Sequence, residues 1–168
     1  MLIKMAGLGN PKTRHFYCLD KGRYAIIAPM KILTKTLKIP TKGTGDLIDI
    51  TDRIKGALDA SELTTGNLTA FVVGSTAAIT TFEYEPGLTK DIREVAEKLA
   101  PSDRHYHHDD TWNDNNGFSH VRASIFGPSL VIPFDGGRLF LGTWQQVVLA
   151  EFDTRNRSRE VIIQLIGE

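Results

Sequence analysis

The sequence predicts an α+β domain built on a β-sandwich-like, mainly antiparallel sheet, with two or three helices gathered to one side. Three observations point there. Seven or eight short apolar segments are separated by clusters of Gly, Pro, Asn and Asp, the usual punctuation of strands. These segments follow one another in pairs joined by short turns, and do not alternate with helices as a parallel βαβ sheet requires. Only Leu88–Ala100 sustains a helical period at length.

The first residues stand apart. Residues 1–29 read as an N-terminal extension, and 30–168 as a single domain. Residues 1–30 hold five of the 20 basic side chains, one of the 20 acidic ones, the sole cysteine and all three methionines. Arg23–Ala28 could form one strand, and Gly7-Leu8-Gly9-Asn10-Pro11 is a loop signal with no preceding strand, so it is not a phosphate-binding fingerprint. Either Met30 is the natural start and 1–29 is translated from upstream of it, or 1–29 packs on the domain.

Regular patterning begins at residue 31. Lys31–Ile39 predicts a strand with Leu33, Leu37 and Ile39 on one face. Pro40, Gly43 and Gly45 make a turn into a strand at Asp46–Ile50. Thr51 or Asp52 can cap a helix over about 52–59, because their side-chain oxygens accept free backbone N–H groups. Asn67–Val73 and Ile79–Tyr84 predict two more strands. In Leu88–Ala100, residues Ile92, Val95, Ala96 and Leu99 share one helical face, and Pro101 stops the helix. Residues 102–118 are polar and predict no core element. Ser119–Phe126 predicts a short helical turn closed by Gly127. Ser129–Pro133 and Arg138–Gly142 flank Asp135-Gly136-Gly137, a hairpin signature, and Gln145–Phe152 and Glu160–Ile166 close the sheet.

Composition narrows the function. Twenty basic and twenty acidic side chains balance, so no global field draws the chain to nucleic acid or an anionic membrane. The single cysteine, Cys18, excludes an intrachain disulfide and a Cys-based zinc ribbon. One thiol and no secretory signal fit a reducing cytoplasm. No apolar run approaches the roughly 20 residues that span a bilayer.

The unusual local feature is the window 103–120. It holds His105, His107, His108 and His120 with Asp103, Asp109, Asp110 and Asp114. Neutral imidazole and carboxylate are ligands for zinc and similar ions. His107 and His108 are adjacent, so only one can face a given site. His108, His120 and one acid such as Asp114 could form an open three-ligand site that leaves room for water or substrate. The same window also reads as a solvated loop. Arg122 could take a phosphate bidentately or sit on the surface unpaired. Ser75-Thr76 follows Gly74 and could line a pocket with hydroxyls and N–H groups. Glu83 and Glu85 share one side of a strand end, suited to acid–base or metal work, or to a solvated edge. Trp144 reads as core, with substrate binding as its functional reading. No Gly-x-Ser-x-Gly elbow supports serine hydrolysis.

The ordered run Tyr106-His107-His108-Asp109, Asn116-Gly117-Phe118-Ser119-His120, Gly127-Pro128-Ser129, Gly137-Arg138-Leu139, Gly142-Thr143-Trp144-Gln145 and Gly167-Glu168 resembles the YjbQ-type family, labelled secondary thiamine-phosphate synthase, over about residues 31–168. The resemblance implies a homotrimer with sites near subunit boundaries. It also implies a weak activity that joins a pyrimidine-methyl pyrophosphate to a thiazole phosphate. It maps the family's Tyr-x-His onto Tyr106 and His108, its Ser-His onto Ser119 and His120, and a glutamate onto Glu83. One departure stands out: where many members have His-Thr-Thr-Ala-Ala, this chain has Gly74-Ser75-Thr76-Ala77-Ala78. The expected enzyme therefore uses His108, His120 and Glu83 for chemistry, and Ser75, Thr76, Arg122 and Trp144 for a phosphorylated small molecule. A divalent ion, Zn or Mg, would be held by His108, His120 and Asp114. The other expectation is a non-catalytic trimer that binds a metal or an anion.

Overall fold

A computed structural model describes residues 29–168 in full and, before them, the backbone of two short strands, β1 (Tyr17–Asp20) and β2 (Arg23–Ile26), paired antiparallel. The Gly7–Pro11 loop lies outside the described residues, and so does any packing of 1–16 on the domain. The predicted α+β class holds, with four helices among the described residues where two or three were expected.

Two sheets carry the domain. The larger has five antiparallel strands in the order β3 (Lys31–Thr41), β10 (Arg157–Gly167), β5 (Thr65–Val73), β7 (Ser129–Asp135) and β8 (Arg138–Leu139). The smaller is β4 (Asp46–Asp49), β9 (Gln146–Glu151) and β6 (Ala77–Phe82), also antiparallel. Alternation explains the larger sheet. Val161, Ile163 and Leu165 of β10 face inward with Leu68, Ala70 and Val72 of β5, and all six are buried. The other face stays open: Ile32, Phe71, Val73, Val131 and Ile166 are exposed on it.

Strand β9 is buried on both faces. Val147 and Leu149 join the core between the sheets, together with Ile50, Ile54 and Leu58 around helix α1 (Thr51–Asp59). Val148 and Ala150 join a second cluster beneath helices α2 (Pro86–Leu99) and α4 (Gly117–Phe126), with Ala96, Ala123 and Phe152. The order is thus sheet, sheet, helices.

The helix boundaries correct the sequence reading in two places. Thr51 does not cap α1; its hydroxyl accepts a hydrogen bond from the Val147 N–H at 2.8 Å and donates to Asp49 Oδ1 at 2.5 Å, tying the helix to β9 and β4. Helix α2 starts earlier than expected because Glu85 caps it, accepting from the N–H groups of Gly87 and Leu88. A further helix, α3 (His107–Trp112), forms inside the stretch read as a polar loop. It buries none of its residues, which is why no apolar period announces it.

Candidate functional site

Two close contacts set the site. Gly117 opens α4 against Tyr106: a Cβ at Gly117 would lie 2.4 Å from Tyr106 Cβ, so only glycine lets the loop approach. Asp109 clamps the approach, with Oδ1 accepting from the Gly117 N–H at 3.1 Å and Oδ2 from the Tyr106 N–H at 3.3 Å. The consequence is that His108 of α3 and His120 of α4 stack, with ring centroids 4.3 Å apart and planes tilted by 43°. Asn113 and Asn115 adopt left-handed backbone, which asparagine tolerates, and the turn they bracket places Asp114 Oδ1 3.7 Å from His108 Nε2. Adjacent His107 turns the other way. It is fully exposed and lies 3.5 Å from Asp110, which also meets His105 at 2.9 Å.

Helix α4 is held firmly from behind. The Ser119 hydroxyl donates to the Phe152 carbonyl at 2.5 Å. Arg122 is 3% exposed; its Nε and Nη2 donate to the Ala100 carbonyl at 2.9 and 2.7 Å, Nη2 also pairs with Glu97, and the guanidinium lies 4.7 Å over Phe118. Arg122 is thus neither the unpaired surface residue nor the free phosphate fork of the sequence reading. Its donors join α4 to the end of α2. Half-buried His120 is held below the ordinary histidine range by burial first and by its neighbour His108, against the opposing pull of Asp114, Asp153 and Asp109. Burial thus favours its neutral form.

Behind Phe152 lies a network the sequence reading missed. Glu151 and Asp153 are 0% and 1% exposed. Arg159 grips Glu151 with two bonds, Nε to Oε2 at 2.6 Å and Nη2 to Oε1 at 2.5 Å, and Arg157 binds Asp153 through Nε at 2.7 Å. Thr41 donates to Glu151 Oε2 at 2.8 Å and Thr76 to Asp153 Oδ2 at 3.2 Å. Burial alone would push the Asp153 carboxyl up, but Arg157, the Thr154 N–H and Thr76 hold it below the usual range. A signal existed: Arg159 is in phase with inward Val161, Ile163 and Leu165, so the alternation itself carries a charge inside.

The candidate residues divide between two ends of the smaller sheet. His108, His120, Asp114, Ser75 and Thr76 gather at the Phe152 end. Glu83 and Trp144 flank the pair Phe82–Gln146 at the other end, about 20 Å along the strands. Trp144 is 70% exposed, so the core reading fails. A groove of about 540 Å³ also lies at that far end, lined by Asp49, Lys55, Arg138 and Gln146 among others, and among the described residues no histidine borders it. Among the described residues no group of three His, Cys, Asp or Glu side chains is arranged to hold a metal ion. The two imidazoles with Asp114 fall short of a closed metal site. Among the described residues, too, no helix is long and apolar enough to cross a membrane.

Known proteins share this arrangement of elements. A protein of Methanothermobacter thermautotrophicus, described as a UPF0047 protein, is 37% identical over 139 residues, covering 83% of this chain and 95% of its own. The YugU protein of Bacillus subtilis is 32% identical over 136 residues, 80% of this chain and all of its own. The crystal structure of a YbjQ-like protein of unknown function from Sulfolobus solfataricus superposes with a TM-score of 0.78 at 31% identity, covering 83% of this chain and 100% of that one. The model of the family described as UPF0047 protein YjbQ-like matches residues 35–168, which include both histidine-bearing helices and every strand of the two sheets except the first turn of β3. By fold and by these matches, the chain belongs to the YjbQ-like UPF0047 family.

Proposed function

We propose that the chain acts on a phosphorylated small molecule at the His108–His120 pair, in a transfer of the thiamine-phosphate synthase type. The stacking of the two rings 4.3 Å apart, on helices anchored by Asp109 and Ser119, carries this reading. In such a transfer a carbon–oxygen bond to pyrophosphate breaks and a carbon–nitrogen bond to the thiazole forms. The pyrophosphate leaves with the bonding pair, and the thiazole nitrogen needs no proton removed. A donor beside the departing oxygen then stabilises the developing charge. His108 can fill that role, since Asp114 forms an ion pair with it when the ring is protonated. His120, kept neutral, accepts a hydrogen bond from substrate.

Among the described residues no three donors close around a metal, so the imidazoles carry this chemistry. A divalent ion takes part as the counter-ion of the pyrophosphate substrate. The exposed apolar face of the larger sheet supports self-association, of which a homotrimer is the expected form. Mixing both precursors with Mg²⁺ and the protein tests the reading. Product above background that falls at least about 100-fold in His120→Ala is expected. Product at background in both, with phosphate still bound, favours the non-catalytic module.

A further inference from the structure

Arg159 is nine-tenths buried, and its guanidinium is fixed from within. Nε and Nη2 donate to Glu151, and Nη2 also donates to Thr76 Oγ1 at 2.7 Å. The third nitrogen, Nη1, finds no acceptor among the described residues. It lies beside Gly74. A Cβ built on Gly74 would sit 2.9 Å from Nη1, and within 4 Å it would meet only the Arg159 guanidinium. Gly74 and Ser75 are both exposed. Glycine therefore leaves open a guanidinium edge that a larger residue would cover, at the position where the family resemblance expects histidine.

The same turn supplies more donors. The backbone N–H groups of Gly74, Ser75 and Thr76, and the Ser75 hydroxyl, donate to no acceptor among the described residues. Free N–H groups at an exposed bend are available to an anion, and the guanidinium edge beside them adds a charge-assisted donor. The neighbouring carboxylates already hold partners: Glu151 with Arg159 and Thr41, Asp153 with Arg157 and Thr76.

We propose that the Gly74-Ser75-Thr76 turn and Arg159 Nη1 form an anion subsite for a phosphate group of a small ligand. The proposal deepens the reading above and relies on it only for the identity of the substrate. It replaces Arg122 as the phosphate anchor. Asp153 links the subsite to the histidines: it takes the Thr76 hydroxyl, and Phe152 before it takes Ser119, next to His120. Because Glu151 and Asp153 balance the two arginines, hydrogen bonds and not net charge hold the anion. Affinity for free phosphate is then modest, with Kd on the order of 1 mM.

Titrating inorganic phosphate into isotope-labelled protein at low ionic strength, read by NMR, tests this. Saturable shifts are expected on the amides of Gly74, Ser75 and Thr76 and on the Arg159 Nε–H. Ser75→Pro, which removes one donor on an exposed residue, and Gly74→Ala, which fills the gap, should each weaken binding about 10-fold. Wild-type protein that binds phosphate at the turn yet yields no transfer product overturns the catalytic reading alone and leaves the subsite standing. The subsite is overturned if the wild-type shifts are absent or centre on His108 and His120, or if both turn variants bind as wild type. Should either variant misfold, the wild-type map decides.

Discussion

Two polar clusters flank Phe152, and they differ in how completely their groups are paired. On one side Glu151, Asp153, Arg157 and Arg159 bridge β9 and β10, and each carboxylate oxygen that is buried has a donor. On the other side, His108 keeps 30% of its side chain exposed and stacks on His120, and the buried Asn116 Oδ1 has no partner among the described residues. A fully paired buried network fixes geometry and is costly to break. Loosely paired groups at a surface remain free to exchange protons and ligands. The first cluster is scaffold, reaching the outside at Arg157 and at Arg159 Nη1; the second is working surface. The stiffness of one is what holds the other in register, through the Ser119 bond to Phe152.

The sharpest way to break this contrast is Glu151→Ala. It leaves buried Arg159 with only Thr76 and the more distant Asp153, so stability should fall by about 3 kcal/mol. Urea unfolding measures it, and a loss below about 1 kcal/mol would show that the network is not closed. Next comes Arg122→Ala, which orphans the Ala100 carbonyl and should cost about 2 kcal/mol. Phosphate binding should be unchanged in this variant, and weakened binding would return Arg122 to the site.

The smallest effect is electrostatic. Removing His108 by His108→Ala should raise the apparent pKa of His120, followed by NMR of its ring protons, because a like charge leaves. The sign for stability follows. With its folded value depressed, His120 binds fewer protons than in the unfolded chain, so stability is full above the ordinary histidine value and declines as pH falls through it. His108→Ala should flatten that decline. Asp153, held low, adds stability that is present above the ordinary carboxylate value and lost in stronger acid. Urea midpoints across pH separate the two.

Much of the fold was legible. The strands showed because their inward residues alternate, and α2 showed because Ile92 and Ala96 share a face ending at Pro101. Helix α3 did not show, since a helix without buried residues leaves no apolar trace. The pairing of His108 with His120 was expected from the residues and from the resemblance, and the structure places them together. What the sequence could not rank was the environment of each charged group. Arg122 and Arg159 look alike as letters, yet one is enclosed at the end of α2 and the other presents an edge beside Gly74.

Local patterning by itself determined the strands and helix α2, because hydrophobic period and turn chemistry act between near neighbours. It also determined which loop carried the histidines. Tertiary structure decided which distant side chains meet: β9 and β10 bring Glu151 to Arg159, and Gly117 brings Tyr106, and with it His108, to α4. Those meetings depend on contacts between residues far apart in the chain, where burial and close packing, not local preference, set the free energy.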